Sequence, residues 1–410
     1  MSPRDPAGPG QFLPQSAALP PRDPAAPLRV LQVDPSLFTA PYDAALSAGL
    51  AAAGVDTAWA TRALRHGEEA DLNPADQALV CYRRSDGPNR RKGRRVELVM
   101  GQLFKGCEHA LDLRRIGRCA RQGGFDLVHF QWAIMPVFDG PAMRRIARHC
   151  PVVLTVHDVT PFNGAGVSVL QRHGFDALFA AADHLIVHTP GARASLIARG
   201  ADPDAISVIA HGPLALRRSP RPVVDKAAGR WRIVLFGRLQ SYKGVDVLIE
   251  ALGLLPPALR DRLEVVVAGD PLIDLAPLLR RAADLGLAAP LLQVVRGRLD
   301  EQAMADLLGS ADGFVFPYRA IEASGVLFLV AGLQRWVIAS DLGAFAEVIG
   351  RDGSMGQLVM PGDAADLARA LAQGIGRRPE RGAHVPGWDE IGVQTAAIYR
   401  QVLARRKGRA

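Results

Sequence analysis

At 410 residues and 43.9 kDa the chain is too long for one ordinary core, and its length predicts two folded halves. With 49% hydrophobic and 22% charged residues, 41 glycines and 30 prolines, it is too rich in turns for a helical bundle and suits alternating strands and helices. The net charge of +8 sits in one stretch: residues 83–121 carry twelve basic side chains against Asp86, Glu97, Glu108 and Asp112, which excludes a uniformly basic chain of the nucleic-acid-coating kind.

Residues 1–27 are mostly proline, alanine and glycine with scattered charge, and they predict a disordered tail. No basic start followed by an apolar run opens the chain, and no apolar stretch reaches about 18 residues, so neither a signal peptide nor a membrane span is expected and the chain reads as cytoplasmic. From Leu28 the pattern alternates: a strand over 28–33, a helix over 42–53 stopped by Gly54, strands over 126–130 and 152–156 with a helix over 141–149 between them, then strands over 184–188 and 206–209. Within this half, Arg90, Arg91, Lys92, Arg94 and Arg95 lead into a helical pattern with Val96, Val99, Leu103, Phe104, Cys107 and Leu111 on one side. Two readings of it stand: a solvated face beside an ordinary buried stripe, or a surface that docks on anionic lipid. Nucleic acid is not expected, since no aromatic stacking platform or zinc-finger spacing accompanies the charge. Cys81, Cys107, Cys119 and Cys150 lack C-x-x-C spacing and read as reduced thiols.

A proline-rich, basic segment without periodicity, 213–230, reads as a linker. Strands are then predicted over 233–236, 263–268, 291–295, 313–316 and 336–339, with helices over 245–254, 275–285, 300–309, 325–333 and 364–374. Parallel strands joined by crossover helices satisfy both halves, and in such sheets ligands sit beyond the carboxyl ends of the strands.

The loop Gly237-Arg238-Leu239-Gln240-Ser241-Tyr242-Lys243-Gly244 lies between a buried strand and a helix. Glycines at both ends let Arg238 and Lys243 converge on one pyrophosphate, where fixed cations stabilise the charge of a leaving diphosphate. A second segment, Tyr318 to Val326, follows another strand. Glu322 suits the hydroxyls of a sugar or ribose, and the amides of Ser324, Gly325 and Val326 open a helix whose positive end favours an anion. Taken singly, these are also a surface pair beside a turn and a helix cap. Together they predict a two-sided diphosphate cradle.

These motifs, with Ala339 to Glu347 (Ala-Ser-Asp-Leu-Gly-Ala-Phe-Ala-Glu), resemble in order the retaining glycosyltransferases of family 4 from about Leu28 to Arg400. The resemblance implies the GT-B architecture, two Rossmann-like doubly wound domains facing across a cleft: an acceptor-side domain over 28–212, the linker 213–230, a donor-binding domain over 231–377, and a crossover helix with a basic tail over 378–410. It implies a hexose transferred from a nucleoside diphosphate sugar to a hydroxyl of a glycan, exopolysaccharide or lipid-linked acceptor, with Arg238 and Lys243 on the phosphates. It also lifts His157, in Thr155-Val156-His157-Asp158, to a partner of the donor sugar, although a lone histidine at a strand end is otherwise a structural hydrogen-bonder. Arg298, with Arg296 and Gly297, stands where the family holds the nucleobase; Gly269 and Asp270 border the same face. The run Asp126 to Trp132 also resembles the family, but His129 and Trp132 equally suit packing at a sheet edge and stay outside the catalytic set.

Two departures stand out. Eight positions after Glu322, where the family commonly repeats the glutamate, the chain has Val330, and the 34–43 loop carries Pro35 and Pro41 in place of paired glycines. No metal or other cofactor is expected, Asp202-Pro203-Asp204 being turn chemistry. The alternatives are a non-catalytic sugar-nucleotide binder, which releases no diphosphate, and a nucleotide-sugar epimerase, which needs no acceptor.

Overall fold

The computed structural model describes residues 27–65, 68–85, 95–160, 174–222, 229–321, 324–380, 382 and 385–408, with the backbone alone over 95–103. The expected tail, but for Pro27, and the basic residues from Arg90 to Arg94 lie outside them.

Among the described residues, β1 (Leu28–Asp34), β2 (Val55–Arg62), β3 (Gln77–Cys81), β4 (Leu127–Phe130), β5 (Val152–Val156), β6 (His184–Val187) and β7 (Ile206–Val208) form one parallel sheet in the order β3-β2-β1-β4-β5-β6-β7. A second parallel sheet joins β8 (Trp231–Phe236), β9 (Leu263–Gly269), β10 (Leu292–Arg296), β11 (Gly313–Phe316), β12 (Trp336–Ser340) and β13 (Gly356–Val359) in the order β10-β9-β8-β11-β12-β13. Central strands such as β5 and β9 are buried along their whole length because helices cover both faces, which explains their unbroken apolar spelling. Strand order reverses between β1 and β4 and between β8 and β11; at such a switch point the loops diverge and open a crevice beyond the carboxyl ends. The two facing doubly wound domains expected from the sequence are the fold observed.

The differences are local. The apolar run of β2 is broken by Asp56 and Thr57, and that of β3 is only the short stretch from Ala78 to Cys81, so periodicity misses both strands. Helix α3 (after α1, Ala40–Ala52, and α2, Arg95–Gln122) spans Pro136–Ala147 and begins five residues before the expected start. Pro136 opens its first turn, where a missing N–H costs nothing, and Asp139 caps it by accepting from the Met135 amide at 2.6 Å, while Pro141 lies inside. On α2, Phe104 and Leu111 are half exposed and Cys107 is exposed, so the described part of that stripe is not an ordinary buried one; the side chains of Val96, Val99 and Leu103 lie outside the described residues. The helix instead buries His109, Leu113, Ile116 and Ala120, a row offset from the one the shorter window suggests.

The C-terminal helix, Trp388–Lys407, returns to the first half, where Ile391, Ala396, Tyr399 and Val402 share a core with Val30, Tyr42 and Leu46. The Tyr399 hydroxyl accepts from Gln32 Nε2 at 3.1 Å and meets His129 Nδ1 at 2.7 Å. His211 stacks on Phe328 of the second half at 4.0 Å, and Leu214 donates to the Phe328 carbonyl at 3.1 Å. These contacts join the two halves beside the crevice.

Candidate active site

The second half supplies a loop cluster built on glycine. Gly237 turns the chain after β8 at φ +114° and donates to the Ala268 carbonyl at 3.0 Å. Gly269 ends β9 at φ +146°, and a Cβ there would stand 1.9 Å from the Gly237 oxygen, so only glycine lets these strand ends touch. Gly244, at φ +68°, packs as closely on the Pro317 carbonyl after β11.

Between these glycines Lys243 is 5% exposed. Its Nζ donates to the Phe236 carbonyl at 3.2 Å and lies 5.0 Å from the centre of the Tyr318 ring. Burial, reinforced by the nearby Arg238 charge, pushes its pKa down to about 7. Arg238 is exposed beside it. The loop after β11 is tied to the same cluster: the Arg319 amide donates to the Tyr242 carbonyl at 2.7 Å and the Arg319 guanidinium bonds Asp246 at 2.8 Å. A methyl built on Gly237 would lie 3.3 Å from Val326 Cγ2, so Val326 faces that loop, with Ser324 buried and Gly325 exposed at the start of the helix Gly325–Ala331. The structure thus brings Gly237, Arg238, Lys243, Ser324, Gly325 and Val326 together. Glu322 lies outside the described residues. Arg298 is exposed beyond β10, where the Gly297 amide donates to the Gly269 carbonyl at 3.0 Å, on the same rim but two strands from β8. Val330 is 1% exposed in the core with Leu327 and Phe328, an environment that suits valine and would leave a glutamate carboxylate buried away from the rim.

Across the crevice, burial raises the Tyr242 phenol, Asp158 adds to the rise and Arg238 opposes it, so Asp158 of the first half faces the cation loop. His157 precedes it. His188 Nδ1 lies 2.9 Å from the Ile209 carbonyl, which can only accept, so that nitrogen carries the proton. His188 Nε2 therefore accepts from His157 Nδ1 at 3.0 Å, which leaves His157 Nε2 as a lone-pair acceptor without a partner among the described residues. Burial, then the His188 and His211 rings, holds the His157 pKa well below the usual imidazole range. His188 is pushed down to about 4 and His211 to about 3, in each case mainly by burial. The group at this rim is a neutral imidazole of fixed tautomer, suited to a hydroxyl donor rather than to an anion.

Trp132, for which the sequence leaves both a family role and packing open, stacks on His157 with centroids 4.9 Å apart and planes 13° from parallel. Its place directly after β4, at the switch point, is the signal that finds it. His129 is structural, holding the Tyr399 hydroxyl and Thr155 Oγ1 at 2.7 and 2.8 Å. Where glycines were expected after β1, Asp34 and Asp43 lie fully buried and interacting. Burial lifts Asp34 to about 6 and Asp43 well above the carboxylate range, while Asp34 accepts from the amides of Phe38 at 2.6 Å and Thr39 at 3.3 Å. Among the described residues no group of three or more His, Cys, Asp and Glu side chains converges on a metal position.

Two doubly wound domains with this cation loop at a switch point define a GT-B glycosyltransferase. A family model described as Glycosyltransferase Family 4 matches residues 43–212, and one described as Glycosyl transferases group 1 matches 230–376; the chain belongs to this glycosyltransferase family. It is similar to a D-inositol 3-phosphate glycosyltransferase of Geodermatophilus obscurus, 31% identical over 62% of this chain and 60% of that one. A D-inositol 3-phosphate glycosyltransferase of Arthrobacter sp. is 28% identical over 87% of this chain and 88% of its own. Among solved structures, a sucrose-phosphate synthase from Thermosynechococcus elongatus matches with a TM-score of 0.67 at 19% identity, covering 92% of this chain and 100% of that one. Anabaena HepE in complex with UDP and glucose matches at 0.59 and 19% identity, over 92% and 95% of the two chains.

Proposed function

We propose that the enzyme transfers a hexose, with retention of anomeric configuration, from a nucleoside diphosphate sugar to a hydroxyl of a glycan, exopolysaccharide or lipid-linked acceptor. The observation that carries this reading is the pairing of buried Lys243 with exposed Arg238 in a glycine-bounded loop, opposite a neutral histidine. Arg238 and Lys243 take the charge that grows on the leaving diphosphate, and the amides from Ser324 to Val326 complete the cradle. His157 Nε2 accepts from a hydroxyl of the transferred sugar, and Glu322 orients the same sugar. Retention and the role of Glu322 are supported by the family motifs. UDP as the nucleotide is supported by the UDP-bound fold neighbour.

The proposal also sets the enzyme on the inner face of an anionic membrane. Along α2, Phe104, Cys107, Leu111, Arg114, Arg118 and Arg121 are all exposed at alternating spacings of three and four, which draws one apolar-to-basic stripe on the surface. Among the described residues no helix is long and apolar enough to cross a membrane, so attachment on this reading is peripheral.

A thermal-shift panel of UDP-, GDP- and ADP-sugars tests the donor assignment. One nucleotide series raises the unfolding temperature with concentration, as mass action requires for about 2.7 kcal/mol at a hundredfold excess over Kd. A flat response to all three contradicts it.

A further inference from the structure

We propose that Phe38 and Trp132 form the acceptor subsite and that the acceptor group they bind is the apolar face of an uncharged sugar ring. The inference rests on the transfer reading above for placing the donor sugar at His157, and it adds the chemistry of the group that receives it.

The loop after β1 is built to present one aromatic ring. Leu37 holds φ +51°, a left-handed conformation that a non-glycine residue adopts only where its surroundings enforce it. The surrounding bonds enforce it: the Leu37 amide donates to the Asp34 carbonyl at 3.1 Å, and the Phe38 and Thr39 amides bond the buried Asp34 carboxyl. From the other side, the Arg62 amide donates to the Pro35 carbonyl at 3.1 Å and Arg62 Nε to the Ser36 carbonyl at 3.0 Å. The outcome is a Phe38 side chain 53% exposed on a rigid loop at the mouth of the crevice. It leans on Trp132 at 5.4 Å, with planes 55° apart, and Trp132 is fixed by donating Nε1–H to Thr39 Oγ1 at 3.0 Å. Trp132 in turn stacks on His157, so a ring seated against Phe38 lies two ring contacts from the histidine that meets the donor sugar. The C–H face of a pyranose packs well on such an aromatic surface.

Charge decides which acceptor fits. A phosphorylated polyol needs arginine or lysine with donors to spare. Here Arg62 and Arg65 both converge on Glu68, at 2.7 and 3.7 Å. Arg218 pairs with Glu69 at 2.6 Å, and Arg217 with Glu69 at 3.6 Å and with Asp71. Beneath the loop lie the carboxyls of Asp34 and Asp43, and the buried cation bonded to the loop, Arg62, is already paired with Glu68. Among the described residues these arginines are paired and the surface beside Phe38 is aromatic, which suits a neutral saccharide.

Saturation-transfer NMR on the full chain tests this without donor or turnover, so a failure of the transfer reading in the Arg238 and Lys243 variants leaves the readout untouched. Aromatic protons are irradiated in the presence of maltose, cellobiose or α-1,6-mannobiose, and separately of myo-inositol 3-phosphate and octyl glucoside. At least one neutral disaccharide receives saturation on its ring C–H protons. Phe38→Ala weakens that binding about tenfold, Phe38→Tyr restores it, and both variants melt with the wild type because the ring is half exposed. The proposal is overturned if no neutral disaccharide is saturated, if Phe38→Ala leaves the signal unchanged, if inositol phosphate displaces the sugars, or if saturation of octyl glucoside falls on its alkyl chain alone.

Discussion

The two rims of the crevice use opposite means to the same end. On the second half, Gly237, Gly244 and Gly269 all have positive φ and bring backbone to within contact of backbone, with buried Lys243 and exposed Arg238 held between them. On the first half the loop after β1 has no glycine; buried carboxyls, a locked histidine pair and stacked aromatics shape the surface. One rim is made for an anion and the other for neutral hydroxyl-bearing groups. The contrast follows the chemistry of a sugar nucleotide, whose charge lies at one end.

The contrast is broken most severely at Gly269. Replacing it with alanine places a methyl against the Gly237 carbonyl at a strained φ, and about 3 kcal/mol or more of stability is lost. Gly297→Ala, at φ +105° with no atom within 4 Å, costs about 1–2 kcal/mol. Urea unfolding compares the two, and equal midpoints would show that the close approach of β8 and β9 contributes nothing.

The next largest effect is in pH. Lys243, with a pKa of about 7 before ligand binds, is increasingly neutral above that pH and has to gain a proton to hold a diphosphate. The donor KM accordingly rises with pH above 7, by up to about tenfold per unit. Lys243→Arg stays charged and flattens the profile; a wild-type KM that is level from pH 6.5 to 9 removes the link.

The other rim responds to acid. Folded pKa values of about 4 for His188 and about 3 for His211, with His157 also lowered, lie under the unfolded value of about 6.5. The unfolded chain therefore binds more protons below pH 6.5, so their stabilisation is whole above 6.5 and declines as pH falls toward 4. Each histidine removes up to about 1.4 kcal/mol per unit in that window. His188→Asn shallows the slope of unfolding temperature against pH; an unaltered slope would mean that His188 titrates alike folded and unfolded.

The smallest effect lies outside the crevice. Arg114→Gln, Arg118→Gln and Arg121→Gln, each removing one positive charge, each weaken sedimentation with phosphatidylserine vesicles by about 1 kcal/mol, and neutral vesicles do not bind. Equal binding to both vesicle types contradicts the docking stripe.

The two rims also differed in how far the sequence exposed them. Gly237 to Gly244 is a contiguous string whose spacing already implies a phosphate loop, and the strands before it are plain apolar runs. The first half depends on partners far apart in the chain: Asp34 with Asp43 across a loop, His157 with His188, and Tyr399 of the last helix with His129. No local period encodes such contacts, which is why the sequence leaves Trp132 undecided between site and packing and shows no clear sign of β2 and β3, whose partners are set by the sheet. The basic helix is hard to read for a related reason: among its described residues the row that packs, from His109 to Ala120, is offset from the stripe that follows the charged run.

The most direct test of the central claim is diphosphate release from the sugar nucleotide selected by thermal shift, measured for wild type, Arg238→Ala and Lys243→Ala at pH 7. Turnover in each variant falls by about 10²–10³, the loss expected when one fixed charge is withdrawn from a leaving group. Unchanged turnover in both would contradict the cation pair as the seat of catalysis.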